Sequence, residues 1–174
     1  HTFGDKVIQD VALRFKEAIG EYDFIARVGG DEFVILTTEV LHVEELCKAL
    51  ASSIEKPFHI ESETFSIGAS IGIAIFPQDG KTFEALFKNA DTAMYVAKNS
   101  GKNRFKFYTQ TMSDAVLEST KMDSEMKKGI ENDEFVLHYQ PQVNLETGLF
   151  IGVEALVRWQ NPFKGFIPPN DFIP

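Results

Sequence analysis

Two acids directly follow a pair of glycines in this chain, in the string Gly29-Gly30-Asp31-Glu32. Carboxylate oxygens suit a hard divalent cation, and glycine backbone lets a phosphate come close. Together they describe a place for Mg²⁺ and a polyphosphate. The same string also fits a turn with solvated acids, because turns favour these residues. Lys98 and Lys102 stand at the end of a helical pattern. Their ammonium groups suit phosphate, but cations at a helix C-terminus are also favoured by the macrodipole, by ~0.3–1 kcal/mol. Glu154 and Arg158 share a face of an alternating segment. A carboxylate and a guanidinium so placed fit a metal and a phosphate, or a surface pair contributing ~0–1 kcal/mol. His1, His42, His59 and His138 show no metal-ligand spacing, and His42 and His59 read as surface residues. The single cysteine, Cys47, excludes an intrachain disulfide and a Cys-rich zinc site, and its apolar neighbours make it core rather than nucleophile.

The charge balance narrows the partners. In 174 residues, 17 Lys+Arg face 26 Asp+Glu, a net charge of −9. Without a basic block, such a chain is a poor binder of nucleic-acid backbone. It is better suited to holding anions through metal ions and a few placed lysines. No apolar run approaches the ~20 residues of a membrane span, no signal peptide is read at the start, and a reducing, cytoplasmic setting is expected. The length suits one domain, or one domain plus a piece.

These residues need elements to carry them. Val7, Ile8, Val11, Ala12, Phe15 and Ile19 predict a first helix with Asp5 as its cap. Phe24–Val28 and Phe33–Leu36 predict two strands of a hairpin around Gly29-Gly30. Val43, Leu46, Cys47, Leu50 and Ile54 predict a second helix that Pro57 stops. Strict alternation from Phe65 to Phe76 predicts one strand with a small-residue face: Ser66, Gly68, Ser70, Gly72 and Ala74. That face implies close approach by a packed helix or a ligand. A third helix runs from Phe83 to a C-cap at Asn99-Ser100-Gly101, followed by a short edge strand over 104–108. Residues 110–131 read as an exposed connecting helix with Ser113-Asp114 as its cap. Phe135–Gln142 and Leu149–Trp159 read as two strands, and the tail from Asn161 shows no regular period. Two strands and a loop cannot bury a core alone. The order predicts an α+β fold, a mixed and mainly antiparallel sheet with packed helices.

Longer motifs now carry a resemblance. Arg27-Val28-Gly29-Gly30-Asp31-Glu32-Phe33 resembles the signature of GGDEF domains, the diguanylate cyclases. His1-Thr2-Phe3-Gly4-Asp5, Ser70–Ala74 with Pro77-Gln78-Asp79-Gly80, and Ala90–Tyr95 with Ala97–Arg104 agree with the same family. Tyr139-Gln140-Pro141-Gln142, Thr147-Gly148, Gly152–Trp159 and Phe172-Ile173-Pro174 are similar to the start of an EAL domain, the cyclic-di-GMP phosphodiesterase. The resemblance implies a tandem: a nucleotidyl-cyclase-like GGDEF domain over 1–109, a linker helix over 110–131, and the beginning of an EAL barrel over 132–174.

It also implies chemistry. Two GTP molecules condense to cyclic di-GMP with loss of two pyrophosphates, one GTP on each domain of a homodimer, with Mg²⁺ or Mn²⁺. By the family pattern Asp31 and Glu32 are the catalytic metal ligands. Gly29 and Gly30 admit the nucleotide, Asp5 accepts from the guanine edge, and Lys98 and Lys102 bind β/γ-phosphates. In the EAL part, Glu154 matches a metal ligand and Arg158 a phosphate contact. The implied alternatives are a parent that is mainly a phosphodiesterase with a GTP-binding regulatory GGDEF domain, and a silent nucleotide-binding scaffold. The family's first strand and helix, with a metal-binding aspartate and a guanine-binding asparagine, lie upstream of His1. The 174 residues alone are therefore expected to be inactive as a cyclase, and an EAL start without its downstream ligands cannot be a phosphodiesterase. The family's product-inhibition motif has Arg where this chain has Gly20, three residues before Asp23, so product feedback at that site is expected to be weak or absent. Contact with a membrane is not expected.

Overall fold

The computed structural model describes residues 2–60 and 63–173. His1 and Pro174, which begin and end two of the motifs above, lie outside the described residues. The chain divides into two compact units, 1–113 and 114–174.

In the first unit, helix α1 spans Thr2–Ala18. Asp5 therefore sits inside its first turn and is not its cap, a position where a carboxylate still complements the helix dipole. Strands β1 (Phe24–Gly29) and β2 (Glu32–Leu36) pair antiparallel, as the hairpin signal predicts. Helix α2 (Val43–Glu55) buries Cys47, Leu50 and Ile54 at helical spacing and gives way to extended backbone at Lys56, before Pro57. One core joins these elements. Val11 and Phe15 of α1, Leu50 and Ile54 of α2, and Phe58 form its centre, with Ile25, Phe33, Ile35 and Ile71 packed around it.

Arg14 ties α1 to α2. Its guanidinium donates to the carbonyls of Ser53 (3.0 Å), Lys56 (2.6 Å) and Pro57 (2.9 Å). These include carbonyls that a helix end leaves without partners. The same group lies 3.6 Å from the centroid of the buried Phe58 ring.

The single strand predicted over 65–76 is two strands. β4 (Glu63–Phe65) pairs antiparallel with an unforeseen β3 (Phe58–Ile60), and β5 (Ile71–Ile73) pairs parallel with β6 (Phe105–Phe107). Between them the chain changes partners, so alternation continues where the ladder does not. The three two-stranded sheets of this unit are not hydrogen-bonded into one.

Helix α3 (Phe83–Asn99) starts on the hydroxyl of Thr82, which accepts from the Ala85 N–H. It packs on β5, with Ala93 and Ala97 fully buried. The small-residue face thus meets a helix at Gly72, where an added Cβ would lie 1.9 Å from the Ala90 carbonyl oxygen. No other residue type fits there.

Helix α4 spans Gln110–Glu131 and starts before the predicted Ser113-Asp114 cap. The Ser113 hydroxyl bonds to the Tyr108 hydroxyl instead, at 2.9 Å. Nor is α4 wholly exposed, for Met122 and Met126 pack against a second core of Trp159, Ile167 and Phe172. That core contains residues of the tail read as irregular. Ile167 lies on a third strand, β9 (Gly165–Ile167), added to the antiparallel pair β7 (Phe135–Val143) and β8 (Phe150–Asn161). With α4 and β9 in place, the two strands are no longer without a core. Trp159 is fully buried, and its indole N–H donates to the Glu134 carboxylate at 2.8 Å. The same oxygen accepts from the Asn161 amide at 3.1 Å. A buried indole needs such a partner.

Candidate functional site

The Gly-Gly segment is not a simple two-glycine turn. Gly29 pairs with Glu32, so Gly30 and Asp31 form the tip, and the register shifts between Arg27 and Gly29. Gly30 has φ +45°, a left-handed conformation that glycine adopts freely. The Arg27 Nε donates to the Gly30 carbonyl at 2.9 Å and fixes the tip from below. The sequence shows Arg27 only as the first residue of the signature string, with no role attached; its place two residues before the glycines is the available signal.

The tip is open. An added Cβ at Gly29 or Gly30 would meet nothing within 4 Å. The glycines thus leave room above the backbone rather than fitting against protein. Asp31 and Glu32 are both exposed, and among the described residues no hydrogen bond or ion pair engages either carboxylate. They are hard oxygen donors free to take a cation. They are two donors rather than a complete set, because the described residues hold no cluster of three or more metal-ligating side chains.

Lys98 lies in the last turn of α3, and Lys102 in the turn beyond it. Both side chains are exposed. The helix closes on Ser100, whose N–H and hydroxyl both donate to the Val96 carbonyl, at 3.0 and 2.7 Å. Gly101, Lys102 and Asn103 then follow one another at φ +114°, +56° and +45°. Asp5 is exposed on α1.

In the second unit, Glu154 is opposite Gln140 and Arg158 opposite Val136, so both lie on the polar face of the β7–β8 ribbon. They form no ion pair with each other. The Arg158 guanidinium donates to the Val157 carbonyl at 2.8 Å, and Glu154 is exposed. At the place of the product-inhibition motif, Gly20 and Asp23 close a turn. The Asp23 carboxylate accepts from the Gly20 N–H at 2.8 Å. Cys47 is buried in α2, and burial, with Glu44 second, pushes its thiol up to about 11. It is neutral at ordinary pH and inert as a nucleophile.

Residues 1–104 match the family model for the diguanylate cyclase GGDEF domain. The chain belongs to the GGDEF family. Residues 123–174 match the EAL domain. The bifunctional diguanylate cyclase/cyclic di-GMP phosphodiesterase MucR of Pseudomonas aeruginosa is 40% identical over 176 residues, covering 100% of this chain and 26% of that protein. The cyclic di-GMP phosphodiesterase PdeR of Escherichia coli is 38% identical over 175 residues, covering 99% of this chain and 26% of that protein. This GGDEF chain thus spans about a quarter of the length of these curated relatives. Among solved structures, an EAL/GGDEF domain protein from M. capsulatus is 38% identical with a TM-score of 0.60, over 63% of this chain and 72% of that one. The α+β architecture is that of GGDEF domains. No described helix is long and apolar enough to cross a membrane.

Proposed function

We propose that this GGDEF unit synthesises cyclic di-GMP from two GTP molecules, as part of a GGDEF–EAL signalling protein with a domain over 1–109, a connecting helix over 110–131 and an EAL start over 132–174. The observation that carries the reading is the β1–β2 tip: two unpartnered carboxylates beside glycine backbone with open space above it. GGDEF and EAL enzymes generally use divalent metals. The donor set here fits one, since Asp31 and Glu32 offer hard oxygens at adjacent positions. A bound Mg²⁺ or Mn²⁺ lowers the pKa of the attacking ribose hydroxyl and neutralises charge building on the α-phosphate.

The chain's own residues do the rest. Gly29 and Gly30 let the nucleotide lie against the backbone. Arg27 holds the tip in shape through the Gly30 carbonyl. Lys98 and Lys102 bind the β/γ-phosphates and hold the α-phosphate in line, and Asp5 accepts from the guanine edge. Each site holds one GTP, so the reaction takes two domains facing each other in a homodimer. Asp23 is committed to its own turn, and Gly20 has no side chain to bind product, so product feedback is weak there. In the EAL part, Glu154 holds metal and Arg158 phosphate.

The test is turnover of saturating GTP with Mg²⁺ by the protein carrying the whole tandem. Asp31→Ala should lower cyclic di-GMP formation by about 10²–10³-fold, the usual scale for losing one charge-stabilising group, while leaving the melting temperature unchanged. Undiminished synthesis by that variant defeats the assignment. The name of the relative PdeR favours a second reading, in which the EAL part is the active enzyme and the GGDEF unit senses GTP. GTP binding without cyclic di-GMP formation, together with hydrolysis of added cyclic di-GMP, selects it.

A further inference from the structure

Lys102 is held in an unusual way. It and Asn103 are consecutive non-glycine residues at positive φ, after Gly101 at +114°. Side chains resist this conformation, and Asn tolerates it better than Lys. A turn of this kind persists when its surroundings fasten it, and three fastenings are present. The Arg104 Nε donates to the Lys102 carbonyl at 3.2 Å. The Ile71 N–H donates to the Arg104 carbonyl at 2.9 Å, which anchors the turn's end to β5. The third fastening is Asn103. Its amide donates to the Glu55 carboxylate at the end of α2, at 3.2 Å. Its side chain also lies over Gly68, where an added Cβ would come within 2.7 Å of Oδ1. In the sequence Gly68 belongs to the small-residue face, Asn103 to the Ala97–Arg104 stretch, and Glu55 to no motif.

We propose that Asn103, clasped between Gly68 and Glu55, is a positioning residue that holds Lys102 in the geometry that binds the nucleotide's terminal phosphates. The clasp engages the backbone and side chain next to Lys102 and leaves the Lys102 ammonium in solvent, where a ligand can reach it. It connects that turn to α2 and to the 66–70 segment, so the lysine is set by three parts of the fold. The proposal rests on the phosphate-binding reading of Lys98 and Lys102, and the experiment separates the two.

The full chain is titrated calorimetrically with GTP and with GMP in Mg²⁺ buffer, because GMP lacks the phosphates in question. Asn103→Gly keeps the left-handed backbone and removes only the clasp. Gly68→Ala disturbs the same clasp from a position remote in sequence. Each should weaken GTP binding roughly threefold to tenfold, the scale of one hydrogen bond, and leave GMP binding unchanged. A merely structural role would lower both affinities together. Asn103→Asp removes the donor facing Glu55, and adding Glu55→Gln supplies one from the other side. The double variant should recover GTP affinity that the single one loses. If Lys102→Ala loses GTP affinity but Asn103→Gly does not, the clasp has no positioning role and the lysine reading stands. Failure of the double variant to recover also overturns the clasp. If the chain binds GTP no better than GMP, or Lys98→Ala and Lys102→Ala change nothing, the phosphate reading falls and the clasp with it.

Discussion

Substituting Gly72 with alanine tests the contact on which the first unit's layered packing depends. The added Cβ would lie 1.9 Å from the Ala90 carbonyl oxygen and 2.4 Å from the Met94 nitrogen, both backbone atoms of α3. Ordinary contact begins at 3.4 Å, so α3 must retreat by about 1.5 Å, the difference between the two distances. No side chain can rotate to relieve the clash. The retreat opens the packing of Ala93 and Ala97, which are fully buried. Overpacking of this kind costs about 2–3 kcal/mol. For a unit of this size that lowers the melting temperature by roughly 10 °C or more. The assay is thermal unfolding of the full chain followed by circular dichroism at 222 nm. Gly29→Ala is the control, since a Cβ there meets nothing within 4 Å. Gly72→Ala melting within about 2 °C of the parent would show that β5 and α3 do not approach this closely, and would refute the argument. The displaced helix also carries Lys98, so the same variant should weaken GTP binding.

The remaining predictions concern other single contacts. Arg14→Ala removes three hydrogen bonds at the end of α2 and the stacking on Phe58, and should destabilise the chain by about 2–3 kcal/mol in urea unfolding; Arg14→Lys should recover only part, because an ammonium cannot span the three carbonyls. Glu134→Ala leaves the buried indole N–H of the single tryptophan without an acceptor and should cost about 1–3 kcal/mol, read as an earlier red shift of Trp159 fluorescence in urea. Cys47 should resist alkylation in the native chain at pH 8. Burial holds its folded pKa at about 11, above the ordinary thiol value of 9.0, so the stability it contributes is intact below pH 9 and falls as pH rises from 9 through 11. A thiol alkylated at pH 8 as fast as in urea would contradict its burial. Gly29→Ala should leave stability unchanged while weakening GTP binding, and undiminished GTP affinity would exclude close approach of the nucleotide at that glycine.

Much of the local structure was readable from residue order. The β1–β2 hairpin, α2 and the body of α3 follow from apolar spacing, turn glycines and caps, because those signals act within a few residues. The candidate site was readable for the same reason, since Gly29–Glu32 and Lys98–Lys102 are each continuous. What the alternation over 65–76 could not reveal was the change of partner between β4 and β5. Periodicity records which face a side chain takes, not which strand supplies the hydrogen bonds. The tail from Asn161 gave no period because its contribution is two large residues, Ile167 and Phe172, spaced by neither helix nor strand period and folded back onto Trp159.

The sequence by itself determined the chemistry available: an acidic chain, two acids on bare backbone, two placed lysines and one inert thiol. Only the tertiary structure decided how these groups are held. It placed Gly30 and Asp31 at the tip, with Arg27 bonded to the Gly30 carbonyl, and of the two readings open for the small-residue face it chose the packed helix at Gly72. It also brought Glu55, Gly68 and Asn103 together around the turn of Lys102. Those three residues are separated by 13 to 48 positions. No local rule connects them, because the contact exists only after α2, the 66–70 segment and the end of α3 have packed.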